Sequence, residues 1–271
     1  MRSDVPRPRP SAVQRERDMA CLAQAIDVDV IPRLARRLGL GNDPSVVGRL
    51  VTPSDLATFL DALLAGRLAD GETLMAQLRA RGASVEVVYL GLFMPTARRL
   101  GELWSDDRVD FAAVTVMLGH LQRWLRELSS AFSAERQAAP HAHRALFVQA
   151  AGEQHSFGLS MLAEFFRRAG WDVLGGIGGA GLDASERVRR ESVDLVGFSV
   201  GSEPQLPWLL RHIEQVRAAS LNRRIVVMVG GPLFDQHPEL LAGVPADASS
   251  TSAPDALRLA EALVAERQSA A

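Results

Sequence analysis

The sequence predicts two folded parts, a bundle of four helices followed by an α/β domain with a five-stranded parallel sheet. Apolar residues of the first part recur at three- and four-residue spacing, which is typical of helices with one face in a core. Short apolar runs of the second part alternate with amphipathic runs, and short polar loops connect them. We therefore expect a flexible arm with short helices over residues 1–50, the bundle over 51–134 and the α/β domain over 144–271.

Composition limits the classes of protein to which the chain can belong. Of 271 residues, 47% are hydrophobic, which is enough for two cores, and the net charge of −2 provides no basic field for nucleic acid or an anionic membrane. Cys21 is the single cysteine, which excludes an internal disulfide framework. No apolar run approaches the length of about 20 residues that spans a bilayer. We expect a cytoplasmic protein with no membrane contact, and direct contact with DNA stays open.

Breaker residues and apolar spacing predict the elements of the first part. Residues 1–17 are rich in proline and arginine and predict a flexible arm, and residues 19–40 predict one or two short helices. The four bundle helices are expected from Thr52 to about Ala69, from Gly71 to about Ala80, from Ser84 to Trp104 with a possible kink at Pro95, and from Asp110 to about residue 133. Residues 134–143 predict a linker, in which His141 and His143 are expected to be exposed side chains.

The α/β domain is expected to contain five strands and five helices in strict alternation. The predicted strands are Ala145–Gln149, Asp172–Gly175, Leu195–Val200, Ile225–Val229 and Ala246–Ser250. The predicted helices are Leu159–Arg168, Ala184–Glu191, Gln205–Ala218, Asp235–Leu241 and Pro254–Glu266. Because ligands of such sheets bind at the carboxyl ends of the strands, the loops that follow the strands are the expected site.

Three short motifs lie at these strand ends. They are Glu153-x-His155-x-x-Gly158, Ser199-x-Gly201 and Gly230-Gly231. Together they resemble the Asp-x-His-x-x-Gly, Ser-x-Leu and Gly-Gly signature of the cobalamin-binding Rossmann-like (flavodoxin-like) domains of methionine synthase, corrinoid proteins and B12-dependent regulators. Two positions depart from that signature, because Glu153 replaces aspartate and Gly201 replaces leucine. Read alone, a loop histidine is more often solvated, and Gly230-Gly231 is compatible with a simple turn.

The resemblance implies a role for each residue. His155 would be the metal ligand below cobalt, and Glu153 would accept a hydrogen bond from the other nitrogen of its ring. Gly158 and Gly230-Gly231 would leave room for the displaced nucleotide tail, and Ser199 would hydrogen-bond the displaced base. Ser250, at the end of the fifth strand, would add a polar contact. The implied cofactor is hydroxocobalamin, adenosylcobalamin or methylcobalamin.

The bundle is expected to cover the upper face of the corrin, with Trp104 as the shielding side chain or, alternatively, as an ordinary core residue. Regulators related to CarH carry Trp-x9-Glu-His, but the matching positions here are Val114 and Thr115, so that upper-face chemistry does not carry over. The upper-face candidates are mostly apolar, namely Trp104, Val114 and Met117. His120 and Trp124 share a helix face with Met117 and could approach the cofactor, although half-buried packing is their expected role.

Further sequence details narrow the resemblance. From about residue 50 onward the chain resembles the AerR/PpaA antirepressors of photosynthetic bacteria. The resemblance is carried by Glu-Gln-His-Ser-Phe-Gly, the run from Ala163 to Trp171, Gly101-Glu-Leu-Trp104 and Asp110-Phe111. The resemblance implies a light-responsive regulator, not an enzyme, with a CrtJ/PpsR-type repressor as partner. Two alternatives stay open, a corrinoid methyl carrier for a separate methyltransferase and a cofactor-free interaction module. The glycine-rich run from Gly175 to Gly181 lacks the spacing of a dinucleotide site.

Overall fold

The computed structural model describes residues 50–135, 143–150, 156–175 and 183–269. The predicted arm and short helices of residues 1–50 thus lie outside the described residues, apart from position 50, and so do Glu153, His155 and His141. From Val51 onward the described residues belong to one compact unit. The division into 51–134 and 144–271 stays a prediction.

The first helix, α1 (Pro53–Leu64), begins at a reciprocal cap and ends earlier than expected. Thr52 Oγ1 accepts a hydrogen bond from the Asp55 amide at 3.1 Å, and Asp55 Oδ2 accepts one from the Thr52 amide at 2.9 Å. The expected extension to Ala69 is wrong, because Gly66 adopts φ 70° and lets the Arg67 amide donate to Ala62 O at 2.8 Å. The next helix, α2 (Leu68–Ala80), therefore starts three residues before the predicted Gly71.

The third helix is continuous but irregular, and Pro95 explains the irregularity. It consists of α3 (Val85–Val88), a π-helical segment (Tyr89–Phe93) and α4 (Met94–Ser105). Proline has no amide hydrogen and its ring crowds the preceding turn, so the ladder shifts and the Met94 amide donates to Tyr89 O, five residues earlier. The predicted disturbance at Pro95 is thus present as a π turn.

The fourth helix, α5 (Phe111–Ala134), is capped by Asp110 and completes an aromatic core. Trp124 lies 5.5 Å from Phe59 and 6.4 Å from Phe93, measured between ring centroids. Tyr89 donates its hydroxyl hydrogen to Leu125 O at 2.8 Å. Burial, together with the charges of Glu164 and Glu135, raises the pKa of Tyr89, so this hydroxyl stays protonated as a donor.

A five-stranded parallel sheet with the order β2-β1-β3-β4-β5 forms the second part. Its elements in chain order are β1 (Arg144–Gln149), α6 (Ser156–Arg168), β2 (Asp172–Gly175), α7 (Ala184–Arg190), β3 (Leu195–Ser199), α8 (Leu206–Ala219), β4 (Val226–Gly230), α9 (Pro232–Gln236), β5 (Ala248–Ser249) and α10 (Ala253–Ser269). Short 3₁₀ turns cover Glu203–Gln205 and Pro238–Gly243. The α/β fold class with a preceding helical bundle is confirmed.

Two predicted elements of the sheet region differ from the structure. The helix expected over Asp235–Leu241 is replaced by α9 and a 3₁₀ turn, because Pro238 cannot donate to a helical ladder and His237 has φ −131°. The fifth strand, expected over Ala246–Ser250, is only two residues long. Separate apolar cores cover the two faces of the sheet, one beneath α7 and α8 and the other beneath α6 and α10.

Candidate functional site

The carboxyl ends of three strands bring the second and third motifs together. Ser199 at the end of β3 is in register with Gln149 of β1 on one side and with Gly230 of β4 on the other. The chain order reverses between β1 and β3, so the loops after these strands diverge and leave a crevice. The loop after β1 contains the predicted ligand His155, which lies outside the described residues.

Gly231 forms the floor of this crevice at the level of the backbone. A Cβ at this position would lie 2.5 Å from Val200 O, 2.8 Å from Val200 N and 3.0 Å from Ser199 Oγ, and the residue has φ 107°. At Gly230 a Cβ would lie 2.5 Å from Ser250 O. Both positions therefore require glycine, because backbone atoms of neighbouring segments lie too close for a side chain. A simple turn alone would not impose this requirement.

Ser199 places a hydroxyl beside this glycine floor. Its side chain is 9% exposed, and no described residue forms a hydrogen bond with that hydroxyl. A largely buried hydroxyl beside two glycines is suited to form a hydrogen bond with a polar atom of an extended, flat ligand. The Ser199 hydroxyl is suited to a hydrogen bond with the displaced base of a cobalamin, whereas the space that a Cβ of Gly231 would occupy is filled by the Val200 backbone.

Gly201 is held in place by a residue that the motif analysis missed. Gln205 Oε1 accepts hydrogen bonds from the Gly201 amide at 2.9 Å and from the Ser202 amide at 3.2 Å. Ser202 and Gln205 form a capping box, and the Ser-x-x-Gln pattern in the sequence is the signal that could have revealed it. The Gly201 amide thus already has a hydrogen-bond acceptor within the protein, and the two hydrogen bonds connect the start of the loop after β3 to Gln205.

Gly158 and Ser250 have different surroundings. A Cβ at Gly158, in the first turn of α6, would meet no atom of the described residues within 4 Å, so these residues leave the space beside this turn open. Ser250 Oγ donates to Ser252 O at 2.9 Å and accepts from the Ser252 amide at 3.2 Å, so its hydroxyl is engaged in a local turn. Ser250 also lines a cavity of ≈340 Å³ between β5 and α9, together with Asp235 and Leu241.

Trp104 is at the surface of the bundle and does not belong to its core. Its side chain is 40% exposed and contacts Phe111 at a ring-centroid distance of 6.1 Å. The other upper-face candidates, Val114 and Met117, are buried, and Trp124 is fully buried and donates to Glu72 Oε1 at 3.1 Å.

An ion pair joins α4 to the strand-end side of the sheet. Arg98 Nη2 lies 3.7 Å from Asp235 Oδ2 in α9, which follows the two glycines directly. Trp104 lies six residues further along α4, about 9 Å at 1.5 Å per residue. The helix that carries Trp104 is therefore linked by this ion pair to the segment that directly follows Gly230 and Gly231.

Among the residues that the structure describes, no group of three or more histidine, cysteine, aspartate or glutamate side chains is arranged to hold a metal ion. The prediction that His155 ligates cobalt, with Glu153 as its partner, concerns residues outside the described ranges and stays a prediction. In the described part of the chain, no helix has both the length and the apolar character needed to cross a membrane.

Comparison with known proteins supports a cofactor role for the α/β part. Residues 143–261 match the family model of the B12 binding domain. The α/β part of this chain is similar to that family over these residues. The predicted cobalamin cofactor is thereby confirmed, and the roles of the individual site residues stay predictions.

One curated relative and one solved structure extend the comparison. A Rhodobacter capsulatus protein described as an uncharacterized 20.5 kDa protein in the bchF-crtJ intergenic region is 27% identical over 176 residues, which cover 65% of this chain and 91% of the relative. The structure of the Methanosarcina barkeri monomethylamine corrinoid protein has a TM-score of 0.63 at 16% identity and covers 76% of this chain and 97% of that one. The first finding agrees with the AerR/PpaA resemblance, and the second shows the fold.

Proposed function

We propose that this protein is a cobalamin-dependent, light-responsive transcriptional regulator that acts as an antirepressor on a CrtJ/PpsR-type repressor of photosynthesis genes. The observation that carries the proposal is the combination of a match to the B12 binding domain with similarity to a protein whose gene lies between bchF and crtJ. Neither finding names a partner for this chain, so the repressor is part of the proposal. We further propose that the protein has no catalytic turnover and acts in the cytoplasm.

The residues at the sheet edge would hold the lower part of the cofactor. His155 would ligate cobalt from below, with its ring oriented by Glu153, and the open space beside Gly158 would admit the tail. Ser199 would hydrogen-bond the displaced base over the floor formed by Gly230 and Gly231. When bound, cobalamin supplies a cobalt centre whose bond to an upper carbon ligand is broken by light.

Trp104 would cover the upper face from the bundle. Its partial exposure and the contact of α4 with α9 support this position. The first turns of α5 next to it are uncharged, and their exposed residues are Phe111, Ala112, Thr115, Val116 and Gly119. Acid–base chemistry on a second substrate requires an ionisable group beside the reacting atoms, whereas this surface would act by fitting or excluding an upper ligand.

A change of upper ligand would act on the partner through the bundle. A ligand shifts a conformational equilibrium only by its differential affinity for the two states. A small upper ligand that fits beneath Trp104 would favour contact between the bundle and the sheet edge, and a bulky adenosyl group would oppose it. The surface presented to the repressor would differ between the two states.

The alternative function is a corrinoid methyl carrier for a separate methyltransferase. The likeness to the Methanosarcina barkeri corrinoid protein shows a shared fold at 16% identity and does not extend to its activity. Methyl transfer from the methylcobalamin-loaded protein to an added acceptor would favour this alternative.

A capture experiment tests the proposed function. Full-length protein would be incubated with an immobilised CrtJ/PpsR-type repressor in the presence of hydroxocobalamin, of adenosylcobalamin kept in darkness, and without cofactor. We expect capture to be strongest with hydroxocobalamin, and exposure of the adenosylcobalamin sample to light should raise its capture to that level. Equal capture in all conditions would contradict the proposed switch. The variant Trp104→Ala tests the role of the cap in the same assay, and Leu221→Ala, a change at an exposed apolar residue of the sheet domain, is its control.

A further inference from the structure

A seam of buried polar contacts joins the bundle to α6. Arg168 Nη2 of α6 lies 2.5 Å from Glu86 Oε2 of α3, although the two residues are 82 positions apart. The guanidinium carbon of Arg168 lies 4.2 Å from the ring centroid of Phe132 in α5. A second contact of the seam is a short hydrogen bond from the Ser129 hydroxyl of α5 to the Glu164 carboxylate of α6.

The charges of this seam are largely removed from water. The side chains of Arg168 and Glu86 are only 13% and 10% exposed. Desolvation of a buried ion pair offsets most of its Coulomb attraction, so replacement of both partners by apolar residues is often neutral for stability. Directional hydrogen bonds between charged groups nevertheless restrict how two surfaces slide, whereas apolar packing alone tolerates several registers. The seam is therefore better suited to fixing relative position than to adding stability.

Helix α6 extends from the position next to the predicted ligand His155 to this seam. It begins at Ser156, the residue after the predicted ligand His155, and ends at Arg168. Its 13 residues form a rod of about 20 Å, so displacement of one end moves the other. The seam is at the far end of the rod and contacts the same bundle that carries Trp104.

We propose that Arg168 and Glu86 are positioning residues of the cobalamin site, which set the separation between the first turn of α6 at Gly158 and the face beneath Trp104. This inference rests on the proposed cobalamin site, but it concerns upper-ligand discrimination and does not require light or a repressor. Without the seam, α6 can shift against the bundle, and the space beneath Trp104 no longer distinguishes a small upper ligand from a large one.

The test replaces both charges together, because replacement of only one would remove the ion pair and leave the other charge largely buried. The variant Glu86→Leu/Arg168→Met is compared with the wild type by titration with hydroxocobalamin and with adenosylcobalamin in darkness. We expect the ratio of the two dissociation constants to change by about 5- to 150-fold, the usual range for coupling between sites. The visible spectrum of the bound hydroxocobalamin should keep the form seen in the wild type, because the lower ligand is untouched.

Two further variants complete the test. Glu186→Leu/Arg190→Met makes the same replacement at an exposed ion pair of α7 and should leave the ratio unchanged. Ser129→Ala removes the hydrogen bond to Glu164 and keeps the charges of Glu86 and Arg168. This variant replaces the double variant in the test if the double variant does not fold, and it should shift the ratio of dissociation constants in the same direction. An unchanged ratio in the folded seam variants would overturn the inference. Failure of the wild type to bind either cobalamin would instead contradict the proposed function.

Discussion

Replacement of Gly231 by alanine tests the crevice floor most directly. The added Cβ would lie 2.5 Å from Val200 O and 2.8 Å from Val200 N, and both are backbone atoms that cannot rotate away. Because Gly231 also has φ 107°, an alanine there would be strained even with free space around it. The substitution therefore forces β4 away from the end of β3.

The magnitude follows from these two effects. A non-glycine residue in this backbone region costs about 1–3 kcal/mol. Displacement of the Val200 backbone endangers two hydrogen bonds, from the Val200 amide to Gly230 O at 3.0 Å and from the Leu233 amide to Val200 O at 3.2 Å. Each contributes about 0.5–1.5 kcal/mol, so the free energy of unfolding should fall by about 2–6 kcal/mol in total. For a unit of this size, the expected fall in Tm is roughly 5–20 °C.

Thermal unfolding followed by circular dichroism measures this effect, with two glycine controls. The alanine of Gly243→Ala would meet no atom of the described part of the chain within 4 Å, and the change in stability should be less than about 1 kcal/mol. Gly230→Ala has the backbone contact with Ser250 O but no positive φ, so its effect should lie between the other two.

Cobalamin titration of the folded variants then separates stability from binding. Gly231→Ala places a methyl group 3.0 Å from Ser199 Oγ and should weaken binding more than Gly243→Ala does. A Tm and an affinity for Gly231→Ala equal to those of Gly243→Ala would refute both the strain argument and the assignment of the crevice as the tail site.

Three other predictions concern the ligand, the cap and pH. His155→Ala should remove tight binding or change the absorption spectrum of the complex, and an unchanged spectrum and affinity would exclude this residue from the site. Trp104→Ala should alter which upper ligands are accepted without unfolding the bundle, because the side chain is 40% exposed; loss of the fold with no effect on ligand choice would assign it to packing. Burial alone would raise the pKa of Asp55, but hydrogen bonds from Thr52 and Arg81 outweigh it and lower that pKa below 3.8. The contribution of Asp55 to stability is therefore present above pH 3.8 and is lost as the pH falls through the lowered pKa. The difference in unfolding free energy between the wild type and Asp55→Asn should therefore vanish at low pH, which unfolding measurements over a range of acid pH would show.

Local patterns in the sequence were sufficient for the order of elements. Apolar periodicity and turn residues are properties of short windows, so the alternation of strands and helices, the cap at Thr52 and the disturbance at Pro95 could be predicted. The same patterns did not locate the end of α1 at Leu64, because a glycine in the left-handed region stops a helix that apolar spacing alone would continue. They also overestimated the helix at Asp235–Leu241, where Pro238 interrupts the ladder.

The sequence by itself also determined that Ser199 and Gly230-Gly231 terminate two strands that are successive along the chain, because strand ends and glycine pairs are local signals. Only the tertiary structure decided that they share one crevice, since the register between β3 and β4 and the 2.5 Å approach to Val200 O depend on sheet pairing. The same holds for the contact of Arg168 with Glu86, which joins residues 82 positions apart. No local pattern pairs these two charges, because their partnership arises from the packing of α6 against the bundle.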